Sequence, residues 1–406
     1  MMSLDTASIR KDFPALSASV KGKPPVYLDN ACATLRPVQV IEAMDVYYRE
    51  HPSCHRRSIH KFGKATTAAY EKSKKAVQKF INAKDPDEIV FTKNATEGVN
   101  IVAHGLTFQP GDIILTTTLE HNSNYLPWQL VAKRADAKLQ TIALNDDLTF
   151  SMEKYQTLLT DNVKLVAVPH KSHITGYTYP VEEIIRLAHA KGAVVLVDAA
   201  QSAAQNELDV QAMDADFLVF SFHKMLGPSG MGCLFGKKTY LENLKPLFIG
   251  GETVDDVSHN AYVLTKVPER FEAGLQNYAG AMGVTAAVAY LQQVGLASIR
   301  QHLVGLNTVI TEAIGGLPKI RILGPADPAQ RGGIVNFIMD DMDSGELSIL
   351  LDETDNIMSR SGVHCCHAGY KRHNLAPSLR LSFYMYNTEQ EVVLLADRLK
   401  KIARYF

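Results

Sequence analysis

At 406 residues, 46% of them apolar and 21% charged, the chain has the composition of a soluble globular enzyme and exceeds one ordinary domain. A net charge of −1 without a long basic block excludes electrostatically driven binding of nucleic acid or of an anionic membrane. No run of about 18 apolar residues occurs, and Met1 to Pro14 is polar without an apolar leader core, so a cytoplasmic location is expected.

From about residue 86 to 236, short β-prone runs alternate with helical stretches. Ile89–Thr92 reads as a strand leading into a helix that begins near Thr96. Asp112–Thr116 precedes a helix near Tyr125–Arg134, and Lys138–Leu144 returns as a strand. Met152–Leu159 reads as helix and Leu165–Val168 as strand. Val181–Ala190 is a helix with apolar spacing at Ile184, Ile185 and Leu187. Two further apolar runs follow, Ala193–Val197 and Phe217–Phe220. This repetition predicts an α/β fold with a large, mostly parallel sheet and helices on both faces.

After Gly274 the pattern changes. Ala279–Val294 reads as a long helix interrupted by glycine. Gly332–Met339, Glu346–Leu351, Leu379–Phe383 and a final helix, Glu389–Arg404, compose a smaller α+β unit. The expected division is a large domain of residues 18–283 and a small one of 1–17 with 284–406. The N-terminal arm, Ser8 to about Leu16, is expected to dock on the small unit.

Asp198 and Lys224 close successive apolar runs, which places both at the carboxyl edge of a sheet, where open α/β folds bind ligands. An acid and a lysine so placed fit pyridoxal phosphate. The lysine forms the Schiff base and the acid keeps the ring nitrogen protonated. A surface lysine and a helix-capping aspartate are the alternative. A phosphate needs N–H donors at a helix start, and Asn94-Ala95-Thr96-Glu97-Gly98 supplies that setting. The alternative for Thr96 is an ordinary helix cap. Ser221 and His223 flank the lysine as further phosphate contacts. His121, opening a helix after a strand, has the shape to stack on the ring, and Gln201 to donate to its phenolic oxygen. For His121 the competing reading is a solvent-facing loop histidine.

Arg360-Ser361-Gly362-Val363-His364-Cys365-Cys366-His367 sets a thiol in a glycine-containing turn beside Arg and His, the setting of a nucleophilic sulfur. Small buried hydrophobes are the alternative for the cysteine pair. Five scattered cysteines make no disulfide framework and fit a reducing compartment. With no C-x-x-C or H-E-x-x-H motif, no metal site is expected. Arg380, on a predicted strand, suits capture of a substrate carboxylate.

Together with Tyr27-Leu28-Asp29-Asn30-Ala31, Cys54-His55-Arg56 and Arg270-Phe271-Glu272-Ala273-Gly274, these segments resemble the class V, fold-type I pyridoxal-phosphate enzymes. The SUF-type cysteine desulfurases and selenocysteine lyases are the most similar branch. The resemblance spans nearly the whole chain. It implies a homodimer with shared active sites and conversion of cysteine to alanine, with a persulfide on Cys365. It also implies a sulfur-acceptor protein and supply of sulfur for iron–sulfur clusters. The alternative within the family is selenocysteine or another β-substituted amino acid as substrate. By resemblance Lys224, Cys365 and His121 are catalytic. Asp198, Gln201, Ala95, Thr96, Ser221, His223, His173 and Tyr278 hold the cofactor, and Arg380, His55, Arg56 and Asn30 the substrate. The short stretch from Cys365 to Arg380 matches the short-loop branch. Four positions depart from the family pattern. His173 stands for an asparagine, Tyr278 for a phosphate-binding threonine of the partner subunit, Arg57 for a glycine and Val363 for a histidine.

Overall fold

The computed structural model describes residues 4–19 and 22–405, so the first three residues of the 1–17 segment lie outside it. Seven strands form the principal sheet: β1 (Ile89–Thr92), β2 (Ile113–Thr117), β3 (Lys138–Ile142), β4 (Val163–Pro169), β5 (Val194–Asp198), β6 (Phe217–Ser221) and β7 (Gly232–Gly236). Their spatial order is β1-β7-β6-β5-β4-β2-β3. Strands β3, β2, β4, β5 and β6 pair in parallel, and β7 runs antiparallel to both β6 and β1.

Strand burial explains why the sequence reads as apolar runs rather than alternations. In β6, Leu218 and Phe220 enter one apolar cluster, while Phe217 and Val219 enter another on the opposite face. In β5, Val195 and Val197 divide from Leu196 in the same way. A strand covered on both faces has no polar side to show. Only edge strand β3 starts with an exposed residue, Lys138.

The smaller sheet is antiparallel throughout: β8 (Ile320–Ile322), β9 (Ile334–Met339), β10 (Arg360–Gly362) and β11 (Ser378–Ser382), in spatial order β8-β9-β11-β10. Arg380 in β11 registers with Asn336 on one side and Arg360 on the other. The extended pair Val26–Tyr27 lies parallel to Ile357–Met358, and Asp29 bridges Ser382. The segment after Tyr27 is thereby led to the junction of the two sheets.

Two expectations need correction. Glu346–Leu351 lies inside a helix, Ser344–Asp355, begun by Asp343, whose carboxylate accepts from the Gly345 and Glu346 amides at 2.8 and 3.1 Å. Leu347 and Leu351, one helical turn apart, are its buried apolar residues. The long helix is not interrupted by glycine. It runs unbroken over Tyr278–Val294, and a Cβ at Gly283 would come within 2.9 Å of Met44 Cγ. Glycine there allows close packing against helix Val38–Glu50. The 283/284 boundary falls inside this helix.

The N-terminal arm is held through Arg10 and Phe13. Arg10 donates to the Tyr386 carbonyl at 2.6 Å and to Glu391 at 2.7 Å, and the Phe13 ring lies 4.6 Å from Tyr386 and 6.0 Å from Tyr290. Among the described residues, no single helix is long and apolar enough to cross a membrane.

Candidate active site

The carboxyl ends of β5 and β6, the start of helix Ala95–Gly105 and the turn after β10 converge on one cleft. Of the predicted site residues, Lys224, Asp198, Gln201, His121, Ala95, Thr96, Ser221, His223, His173 and Arg380 line it. Asn94 of the expected phosphate-binding segment and Arg360 and His364 of the expected thiol turn also line it, together with Glu120, Lys171, Ser123 and Cys32, to which no role was expected.

The helix start is built tightly. Asn94, rather than Thr96, is its cap, with its side-chain oxygen accepting from the Glu97 amide at 3.0 Å. A Cβ on Gly232 would stand 2.5 Å from Asn94 Cα, so only glycine lets β7 pass so close beneath this turn. The Ala95 amide is spent on Ser221 Oγ at 2.8 Å, and Thr96 Oγ1 lies 2.7 Å from Ser123 Oγ. Thr96 and Ser221 thus present hydroxyls at a helix N-terminus, an anion-binding arrangement.

Asp198 is buried, and its Oδ1 accepts from the Ala200 amide at 2.9 Å. Burial raises its pKa, while the Ala200 amide and Lys224 oppose the rise. Lys224 is half-buried, and burial lowers its pKa against the pull of Asp198. The lysine therefore gives up its proton more readily than a surface amine. Gln201 donates to the Ala31 carbonyl at 2.8 Å, which fixes its amide at the cleft wall. His223 anchors the opposite segment, its carbonyl accepting from the Thr34 amide at 2.9 Å.

His121 accepts from the Ser123 amide through Nδ1 at 3.1 Å, which assigns its ring proton to Nε2. Burial, with Lys224, Arg380 and Arg360 nearby, drives its pKa down to about 3. His173 packs edge-on to it with ring centroids 5.0 Å apart, and burial and His121 hold its pKa well below the usual range. The His173 carbonyl also accepts from Arg380 Nη1 at 3.0 Å. This residue therefore sets the position of the guanidinium through its backbone, whatever its side chain.

A pH dependence follows. A histidine kept neutral by the fold leaves the unfolded chain binding more protons, so stability falls as pH drops. For His121 the window runs from the unperturbed value near 6.5 down to about 3, and His55, His170 and His223, each lowered to about 4, act in the same direction. Urea midpoints are expected to fall between pH 7 and 4, and to fall less steeply in His121→Gln. Equal slopes would contradict a neutral, buried His121.

Arg380 is 2% exposed, with Nη2 3.4 Å from Asp29 and Nε buried without a partner. Cys365 borders the cleft through Arg360, whose Nη2 lies 3.5 Å from its sulfur. The thiol sits on a turn in which His364 and Cys365 both have left-handed backbones, φ 49° and 59°. Such a conformation costs about 1–2 kcal/mol per residue. The turn is held by the Asn122 amide on the Cys365 carbonyl at 2.7 Å and by His364 Nε2, 3.0 Å from Ser378. Cys366 is a different kind of thiol. It is fully buried, packed on Gly369, and burial pushes its pKa up to about 12.

Besides Cys365, which borders the cleft through Arg360 without lining it, four predicted residues are not brought into this chain's cleft. Asn30 is a correction: its amide is spent on the Ser382 carbonyl at 2.7 Å, on Asn387 at 3.2 Å and on the Tyr386 hydroxyl, so it splices the 27–32 segment to the small sheet. Arg56 pairs with Glu269 and Glu71. His55 and Tyr278 pack together near Tyr70, away from the cleft.

Pyridoxal phosphate fits this lining. One Asp198 oxygen accepts from the Ala200 amide and the other is left to meet a heterocyclic nitrogen, hydroxyls at a helix start suit a phosphate, and the Lys224 amine makes no hydrogen bond with the described residues. The fold and the lining together define an enzyme of the fold-type I pyridoxal-phosphate class. The aminotransferase class-V family pattern matches residues 26–395. A probable cysteine desulfurase of Synechocystis sp. is 39% identical over 404 residues, covering 98% of this chain and 96% of that protein. The apo structure of the cysteine desulfurase from Thermococcus onnurineus NA1 superposes with a TM-score of 0.94 at 36% identity over both full chains. The S-sulfonic acid form of the Escherichia coli cysteine desulfurase CsdA gives 0.91 at 31%, again over both full chains. The chain belongs to the class-V aminotransferase family.

Proposed function

We propose that this protein is a pyridoxal-phosphate-dependent cysteine desulfurase, converting L-cysteine to L-alanine and retaining the sulfur as a persulfide on Cys365. The observation that carries the reading is the Cys365 thiol, held on a left-handed turn 3.5 Å from Arg360, a wall of the cleft that also holds Lys224, Asp198 and Arg380. The full-length relatives named as probable cysteine desulfurases favour sulfur over selenium as the element removed.

Bound in the cleft, the cofactor supplies an electron sink for the substrate Cα. Asp198 would hold the ring nitrogen, Thr96, Ser221 and His223 would hold the phosphate, and Gln201 and His121 would contact the ring. Arg380 clamps the substrate carboxylate, its guanidinium already oriented by His173 and Asp29. Lys224, its pKa lowered by burial, takes the Cα proton and returns it. Cys365 attacks the substrate sulfur. A sulfur–sulfur bond forms, the carbon–sulfur bond breaks with its electron pair staying on carbon, and the proton given up by the Cys365 thiol completes the alanine methyl. Arg360 places a fixed positive charge beside the reacting sulfur.

Arg380→Lys removes a planar two-pronged donor. It is expected to raise KM for cysteine about 10- to 100-fold, the loss of one charge-assisted hydrogen bond or more, with a smaller change in kcat. An unchanged KM in steady-state kinetics would place the substrate carboxylate elsewhere.

The proposal includes a homodimer with shared active sites, the interface lying near the segments that carry Arg56 and Tyr278. Strongly exposed apolar side chains near them in sequence, Ile59 at 86% and Leu275 at 68%, support a covered face there. The cofactor-binding unit is proposed as residues 18–283, with 1–17 and 284–406 as the smaller one. A sulfur-acceptor protein would collect the persulfide for iron–sulfur cluster assembly in the cytoplasm, where the five free cysteines stay reduced. Measuring alanine and protein-bound sulfur formed from L-cysteine tests the reading. Pyruvate with free sulfide, in place of alanine, would overturn it.

A further inference from the structure

Cys32 lies in the same cleft as Lys224, Arg360 and Arg380, and its thiol is only half-buried. Its position follows from the fold. Val26–Tyr27 pairs with Ile357–Met358, Asp29 bridges Ser382, and the chain then turns, with the Cys32 amide donating to the Asp29 carbonyl at 3.0 Å. This brings Cys32 to the wall that Arg360 shares with Cys365. Two buried polar atoms of residues lining the same cleft, Arg380 Nε and His173 Nε2, have no partner among the described residues, so the cleft that Cys32 borders is built for a polar occupant. Cys366 is the sequence neighbour of Cys365, but its burial removes it from any exchange.

From this arrangement we propose that Cys32 is a second sulfur-accepting thiol of the cleft, taking the outer sulfur of the Cys365 persulfide. The inference rests on the desulfurase reading. Electrostatics agree with the geometry. Burial opposes the charge on Arg360, and the groups that sustain it are Cys32 first, then Asp29 and Cys365. One guanidinium therefore serves both sulfurs. Burial raises the pKa of Asp29, which Arg380, Arg360 and a hydrogen bond from Cys32 counteract. That carboxylate is the acceptor for the Cys32 proton.

The step balances without an added oxidant. Cys32 passes its proton to Asp29 and its sulfur attacks the outer sulfur of Cys365–S–SH. A sulfur–sulfur bond forms on Cys32 as the one on Cys365 breaks, and the electron pair leaves with Cys365 Sγ beside Arg360. The proton on Asp29 then returns to that sulfur. One persulfide replaces another, and Cys365 is free for a second cysteine.

The test is peptide mass spectrometry of the holoenzyme, quenched by alkylation at intervals after L-cysteine is added. Sulfur is expected first on the Cys365 peptide and then on the Cys32 peptide, giving up to two sulfurs per chain. Cys32→Ala should confine it to Cys365 at one per chain, and Cys365→Ser should leave Cys32 unmodified. Diamide treatment of the protein without substrate gives a readout independent of turnover, with a Cys32–Cys365 cross-linked peptide expected. Sulfur that stays on Cys365 over many turnovers, with no diamide cross-link, would overturn the inference and leave the desulfurase reading intact. Sulfur on Cys32 in Cys365→Ser would overturn the direction of transfer. Alanine formation with neither thiol modified would remove the desulfurase reading and this inference together.

Discussion

Cys365→Ser is expected to lower sulfur transfer from L-cysteine by at least about a thousandfold, in line with losses on removing a catalytic nucleophile. A hydroxyl at this place is a much weaker nucleophile toward sulfur than a thiol. The fold should tolerate the change. The Asn122 amide binds the Cys365 carbonyl rather than its side chain, and the sulfur's hydrogen bond among the described residues comes from Arg360. Cys366→Ala is the matching control. It removes a buried sulfur packed on Gly369, so its cost should appear as about 1–2 kcal/mol of stability in urea unfolding, with sulfur transfer kept. If the two variants exchanged these effects, Cys366 would be the working thiol and its burial would have been misread.

Lys224→Ala is expected to abolish turnover, again by about a thousandfold or more, and to remove the visible absorption of the covalently held cofactor. Two separate losses converge on this one change: the covalent anchor and the nitrogen that moves the substrate proton. The variant also leaves Asp198 buried beside no cation, so its carboxyl should hold a proton still more tightly. Weaker retention of the cofactor in dialysis is the expected consequence. A variant that kept both the absorption and the turnover would move the anchoring role away from Lys224.

The strands that end at Asp198 and Ser221 were legible because burial on both faces makes them continuously apolar, and a polar residue closing such a run must sit at the sheet edge. The thiol turn was legible from its composition, since Gly362, His364 and two cysteines leave few other readings. Local chemistry was harder. Thr96 and Asn94 are both good caps, and only the Asn94 bond to the Glu97 amide separates them. Glu346–Leu351 was misassigned because a short apolar run has the same appearance in a strand and a buried helix, and the Asp343 cap was the deciding signal.

Long-range placement was beyond the sequence. The contact of His173 with His121 and its backbone hold on Arg380 join residues from three separate segments. The family resemblance implied a substrate contact for Asn30, yet its amide is consumed by Ser382 and Asn387. Cys32, two positions later, carries a free thiol into the cleft. The signal available for it was the same motif, in which a reactive side chain follows a segment already assigned to the site.

A single-turnover reaction of the holoenzyme with L-cysteine, counting alanine and enzyme-bound sulfur together, is the most direct test of the central claim. One sulfur captured per alanine, entering the protein at Cys365 and absent in Cys365→Ser, is the expected result. Alanine formed at the wild-type rate by Cys365→Ser, or formed with no sulfur on the enzyme, would contradict it.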